Sequence, residues 1–270
     1  MRKVKRLLVL VFVLVNIYAL LCGVIYFFQE NLIFHPSVFP QDYVYQFDHE
    51  FEEIFLTSPD NAKLNGVHFK AKDSKGAILY FHGNAGDLER WGDITTFFVE
   101  KGYDVIVMDY RGYGKSTGKR SQQVLYDDAL LWYAYAENQY STKQLSLYGR
   151  SLGTSFATYV ASKKSAKNLI LESPFYSVAH EAETRFSILP IKRLLKYKFP
   201  TNEFVNDVNM PISIFHGTKD EVVNYTHGKQ LFEYITTTDK FFITVPNGGH
   251  NNLIKYQEYT ANIDAALERE

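Results

Sequence analysis

Cysteine is nearly absent from this 270-residue chain: Cys22 is the only one, so an intrachain disulfide framework and an all-cysteine zinc site are both excluded. A basic excess is missing too. The 29 Lys and Arg residues are balanced by 30 Asp and Glu, for a formal net charge of -1, whereas chains that hold nucleic acid by neutralising phosphates carry a surplus of positive charge. No nucleic-acid partner is therefore expected. There is no internal repeat, no low-complexity tract, no H-E-x-x-H and no other clustered metal-ligand spacing, and neither cofactor nor metal is expected. With 46% hydrophobic and 16% aromatic residues, the chain is too apolar to be mainly disordered.

The hydrophobicity is concentrated at one end. Leu7 to Phe28 carry no charge, and 20 of these 22 residues are apolar or aromatic. As a helix this run would reach roughly 33 Å, about a bilayer core. Arg2, Lys3, Lys5 and Arg6 precede it, and beyond it no Lys or Arg occurs until Lys63. A buried core helix would need a polar face, and this run has none. A cleaved signal peptide has a shorter apolar stretch and a small-x-small cleavage site. Leu20 and Leu21 stand where small residues would precede a lipid-modified Cys22. The reading is an uncleaved single-span anchor at residues 1–30, with its amino terminus cytoplasmic and the rest on the other side. No second run of this kind follows, and the remaining 240 residues carry 25 basic and 29 acidic side chains.

From Asn31 to about Asp48 the chain shows no periodicity and is expected to be irregular. Glu52–Thr57 and Lys63–Lys70 alternate about Ser58-Pro59-Asp60-Asn61, which predicts a hairpin. Short unbroken apolar runs then recur at Ala77–Phe81, Asp104–Met108, Leu145–Tyr148, Asn168–Leu171, Ile212–Phe215 and Phe241–Val245, as expected of strands covered on both faces. Helical patterns near Leu88–Lys101, Ser121–Asn138, Leu152–Lys164, Thr226–Ile235 and Leu253–Leu267 separate most of them. The alternation predicts an α/β fold, a mostly parallel sheet between two helical layers, with any ligand at the carboxyl ends of the strands.

Gly149-Arg150-Ser151-Leu152-Gly153 matches G-x-S-x-G between a predicted strand and a predicted helix. A sharp strand-to-helix turn leaves no room for side chains at the two glycines, and it presents the serine hydroxyl at the strand end above a helix amino terminus. An ordinary glycine turn with Ser151 as helix cap is the alternative. A serine hydroxyl needs a base. His250, in Pro246-Asn247-Gly248-Gly249-His250 after the last predicted strand, is the candidate; isolated, it would read as a surface-loop histidine. His82 and His216 each end an apolar run before a glycine and read as structural. The base needs an orienting carboxylate. Asp220, in His216-Gly217-Thr218-Lys219-Asp220, is the first candidate, with Glu221 and Glu172 as alternatives. Oxyanion donors are expected from the backbone N–H of Leu152 and, in the loop His82-Gly83-Asn84-Ala85-Gly86, of Asn84.

With Asp109-Tyr110-Arg111-Gly112-Tyr113-Gly114-Lys115-Ser116 and Glu172-Ser173-Pro174-Phe175, these motifs run in one order from about Leu79 to the carboxyl end. The chain thereby resembles the α/β-hydrolase family, in its membrane-anchored serine-hydrolase branch of depalmitoylating, lysophospholipid-cleaving and carboxylesterase relatives. The resemblance implies a three-layer α/β-hydrolase fold, nucleophile Ser151, acid Asp220 and base His250. It implies a structural role for Asp109 and Arg111, and a small cap at about residues 174–210 within a domain spanning 31–270. That stretch mixes Phe175, Phe186, Ile188 and Leu189 with Lys192, Arg193, Lys196 and Lys198. It suits either a membrane surface and acyl pocket or a plain amphipathic helix with solvated lysines. The expected activity is hydrolysis of carboxylic esters or thioesters of lipophilic acyl groups. A peptidase or amidase on the same residues, and an anchored binding protein without chemistry, are the alternatives.

Overall fold

A computed structural model describes residues 2–270. The amino-terminal run forms one helix, α1 (Arg2–Ile33), which ends three residues beyond the expected anchor. It is long and apolar enough to cross a membrane. A helix suits that role because it satisfies its backbone polar groups internally. Gln29 is its one buried residue.

The rest is built on an eight-stranded sheet: β1 (Phe51–Thr57), β2 (Lys63–Phe69), β3 (Ala77–Phe81), β4 (Asp104–Met108), β5 (Leu145–Arg150), β6 (Asn168–Glu172), β7 (Ile212–Gly217) and β8 (Lys240–Val245). The spatial order is β1-β2-β4-β3-β5-β6-β7-β8. β2 is antiparallel to β1 and β4, and all other neighbours are parallel. The predicted hairpin turns at Asn61, whose left-handed φ of 63° suits asparagine, and Ser58 Oγ accepts the Ala62 N–H at 3.0 Å.

The helices are α2 (Leu88–Glu100), α3 (Gln122–Glu137), α4 (Gly153–Lys163), α5 (Val178–Arg185), α6 (Ile191–Leu194), α7 (Thr201–Phe204), α8 (Tyr225–Tyr234) and α9 (Gln257–Glu268). The continuous apolar strands are explained by their two covered faces. Leu79, Leu147, Leu169 and Ile214 join a core with α3 and α4 residues such as Trp132 and Phe156. Their neighbours Ile78, Tyr148, Ile170 and Phe215 point the opposite way, toward Trp91 and Phe98 of α2 and Ile263 of α9.

Two expectations are corrected. The stretch 31–48 is not wholly irregular: it begins inside α1, His35–Pro36 pairs in parallel with Ala85–Gly86, and Val38 bridges Gly114. The last helix starts at Gln257 rather than Leu253, behind a 3-10 turn at Leu253–Lys255, because the preceding loop keeps its own hydrogen bonds. From β3 the chain passes to β4 on one side and later to β5 on the other. The topological switch therefore lies between the ends of β3 and β5, where the loop of Asn84 and the turn of Ser151 meet.

Candidate active site

Ser151 sits between β5 and α4 with a left-handed φ of 51°, a strained conformation for a non-glycine residue. The flanking glycines are required by close approach. A Cβ on Gly149 would lie 2.6 Å from the Gly153 carbonyl oxygen, and one on Gly153 would lie 1.9 Å from the Phe81 carbonyl oxygen. Gly153 thus lets α4 seat directly against the end of β3.

The serine is 8% exposed, and its Oγ is 2.9 Å from His250 Nε2. His250 Nδ1 is 2.8 Å from Asp220 Oδ2. With Nδ1–H donating to the carboxylate, Nε2 is left to accept the serine proton. Asp220 Oδ1 accepts the backbone N–H groups of Val222 at 2.9 Å and Val223 at 2.8 Å, which fixes the carboxylate from behind. His216 Nε2 lies 3.5 Å from Asp220 Oδ2 and 3.0 Å from the Val223 carbonyl oxygen, so this histidine braces the acid loop. Burial alone would raise the Asp220 carboxyl. Its contacts with His216 and His250, joined by the Val223 N–H, outweigh burial and hold it well below the usual carboxylate range. The loops carrying acid and base are pressed together at Gly217, where a Cβ would lie 2.2 Å from the Gly248 carbonyl oxygen.

Neither alternative acid reaches the imidazole. Glu221 is exposed. Glu172 accepts the Tyr148 hydroxyl at 2.6 Å and pairs with Arg150 at 3.3 Å. Asn84 and Leu152 line the cleft together with Ser151, and among the described residues neither backbone N–H is hydrogen-bonded within the protein. The Asn84 carbonyl accepts from the His35 N–H and the Tyr113 hydroxyl, and its side chain donates to the Ile33 carbonyl at 2.9 Å, so the loop is tied down on three sides. A serine hydroxyl on an imidazole held by a carboxylate, beside two free N–H donors, can attack an acyl carbon and stabilise the oxyanion that forms.

Asp109 and Arg111 stand outside the cleft. Arg111 chelates Asp60 and Asp128, with bonds of 2.6–2.9 Å. Asp109 accepts the Leu88 N–H at 3.2 Å and lies 3.3 Å from His82 Nε2. Burial raises the Asp109 carboxyl above its ordinary range despite that neighbour. Among the described residues no group of three or more His, Cys, Asp or Glu side chains is arranged to hold a metal ion.

Arg150 has a role that sequence reasoning missed. Buried beside Ser151, it donates to the His250 carbonyl oxygen and to Asn251 Oδ1, both at 3.2 Å, and its guanidinium lies 5.3 Å from the Trp91 ring centroid. It ties the serine turn to the histidine loop. A signal existed: Arg150 and Glu172 are the charged residues that end their otherwise uncharged strands, and they are register partners. The cleft itself has a volume of about 230 Å³, and Phe175 and Val178 are among its lining residues. Ile25 and Leu32 of α1 also line it, a contribution no sequence pattern indicated.

Fold order and site together define an α/β hydrolase. Residues 72–204 match the family model described as "Serine aminopeptidase, S33", a span that includes Ser151 and ends before Asp220 and His250. A Mycobacterium tuberculosis protein is 30% identical over 85% of this chain and 84% of its own length. The α/β hydrolase domain-containing protein 17C of Mus musculus is 30% identical over 81% of this chain and 68% of its own. The chain belongs to the α/β-hydrolase family. A Pyrococcus furiosus esterase structure superposes with a TM-score of 0.69 at 18% identity, covering 87% of this chain and 97% of that one, which shows the shared fold.

Proposed function

We propose that the protein is a membrane-anchored serine hydrolase that cleaves carboxylic ester or thioester bonds of lipophilic acyl substrates. One observation carries the reading: Ser151, His250 and Asp220 form a continuous hydrogen-bonded chain that opens on a mainly apolar cleft. Ser151 attacks the acyl carbon while His250 takes its proton. Asp220 holds the imidazole and stabilises the imidazolium. The N–H groups of Asn84 and Leu152 bind the oxyanion. His250 then protonates the leaving alcohol or thiol, and water, with His250 again as base, frees the acyl group. The hydrolase domain named in the 17C relative and the fold shared with the Pyrococcus esterase support a hydrolase, without reaching the bond cleaved. Residues 31–270 form the catalytic domain and residues 174–210 its cap. Residues 1–30 are the anchor, with Arg2, Lys3, Lys5 and Arg6 holding the amino terminus in the cytoplasm.

The peptidase reading has the family description in its favour. An aminopeptidase must bind a free α-amine, and among the described residues Glu181 is the only carboxylate lining the cleft. Glu181 already pairs with His227, which weighs against it. Turnover of a panel of p-nitrophenyl esters beside aminoacyl amides tests the choice. Ester hydrolysis abolished by Ser151→Ala is expected, and faster amide than ester turnover would overturn it. The anchor predicts retention in membranes through an alkaline carbonate wash and digestion of the domain by protease added from outside.

A further inference from the structure

The last third of α1 is built into the cleft. Ile25, Gln29, Leu32 and Ile33 line it, at helical spacing along one face, in the same cavity as Ser151. Ile25 lies within the uncharged run of the anchor, so the cavity reaches from the serine to a level that the membrane segment itself defines.

The contact is specific. Gln29 is 2% exposed, its Oε1 accepts the Lys196 N–H at 2.6 Å, and its Nε2 donates to the Leu194 carbonyl at 3.2 Å. Tyr197 donates its hydroxyl to Glu30 at 2.7 Å. A buried amide satisfied by the backbone of another segment fixes register as well as contact. Further toward the amino terminus, the Tyr18 hydroxyl donates to the Ile188 carbonyl at 3.2 Å. The segment between β6 and β7 therefore runs down beside the apolar stretch of α1. Its tip shows Ile188 at 83% and Phe186 at 50% exposure, apolar surface that a bilayer would cover.

We infer that α1 is a wall of the acyl site as well as an anchor, and that the acyl chain of a lipid ester resident in the same leaflet reaches Ser151 laterally, between α1 and the segment 174–210. This rests on the serine-hydrolase and anchor readings above. The occupant follows from the geometry: the outer end of the cleft is framed by the membrane helix and by apolar side chains at its level, so an extended hydrocarbon chain can enter without crossing water.

The test uses the full-length chain reconstituted in phosphatidylcholine vesicles, with 4-methylumbelliferyl palmitate in the bilayer and 4-methylumbelliferyl butyrate in the water. Ile25→Trp and Leu32→Trp should each lower the palmitate-to-butyrate ratio of kcat/KM by about tenfold or more, the scale of a pocket altered by a few methylenes. Unmodified protein should cleave palmitate ester in its own vesicles at least about tenfold faster than the same ester supplied in separate vesicles, since a chain that must cross water loses the benefit of lateral access. This second measurement needs no variant and stands even if the tryptophans disturb folding. Ser151-dependent turnover with equal rates from both vesicle populations overturns lateral access. Ratios unaltered in both variants overturn the wall. Turnover that survives Ser151→Ala instead refutes the underlying hydrolase reading.

Discussion

Replacing Arg150 by Met separates two tasks that one side chain performs. The Arg150 and Glu172 side chains are 7% and 6% exposed, so the substitution leaves a buried carboxylate with only the Tyr148 hydroxyl as partner. Breaking a buried ion pair from one side costs about 3–5 kcal/mol, because the remaining charge stays desolvated. Removing both charges, as Arg150→Met with Glu172→Met, should restore much of that stability. The double variant still lacks the bonds to the His250 carbonyl and to Asn251. One such bond is worth about 1.4 kcal/mol, or about tenfold in kcat if it holds the imidazole in reacting position. Urea unfolding followed by tryptophan fluorescence reads the stability, with Trp91 stacked on the perturbed group. Turnover of a short ester reads the rest. The expected result is a single variant with both defects, and a double variant with stability largely recovered and kcat still about tenfold low. Recovery of kcat along with stability would show that Arg150 has no positioning role. A loss below about 1 kcal/mol in the single variant would refute the buried-pair argument.

Three further outcomes are expected. Gly153→Ala drives a Cβ to within 1.9 Å of the Phe81 carbonyl oxygen, so it should cost about 1–3 kcal/mol in urea unfolding and depress kcat further by displacing the Asn84 loop. Asp220→Asn should cut kcat by roughly 10⁴-fold through loss of the correct imidazole tautomer, whereas the exposed Glu221→Gln should leave turnover unchanged; the reverse ranking would move the acid role to Glu221. Burial, reinforced by Lys70, holds His68 down to about 4 from 6.5. Between those values the unfolded chain binds this proton and the folded chain does not. Stability is therefore full above about pH 6.5 and falls as pH drops toward 4, by up to about 3 kcal/mol. His68→Phe should flatten the dependence of the urea midpoint on pH in that window, and an unchanged slope would contradict the assignment.

The sheet was legible because each strand is buried on both faces, so its sequence is a short unbroken apolar run. β3 and β4 have the bounds expected, and β5, β6 and β7 extend one or two residues further, into the polar ends that carry Arg150, Glu172 and His216. Ser151, Asp220 and His250 could be named because each follows a readable strand and the glycines around them have a steric cause. The pairing of His35–Pro36 with Ala85–Gly86 was not legible, since two residues have no period and the partner is distant in the chain. Nor was the wall formed by α1. A helix apolar on nearly every side gives no pattern to mark the face that meets protein; of its polar residues Asn16 is exposed, and Gln29, just past the run, is the buried one. The Arg150 bonds depend on where the His250 loop lies in space, which a strand pattern does not contain.

The most direct test of the central claim is covalent labelling of the full-length protein by a fluorophosphonate, followed by peptide mapping of the adduct. The account predicts one modified residue, Ser151, labelled slowly in His250→Ala and not at all in Ser151→Ala. An adduct on another residue, or equal labelling of Ser151→Ala, would contradict it.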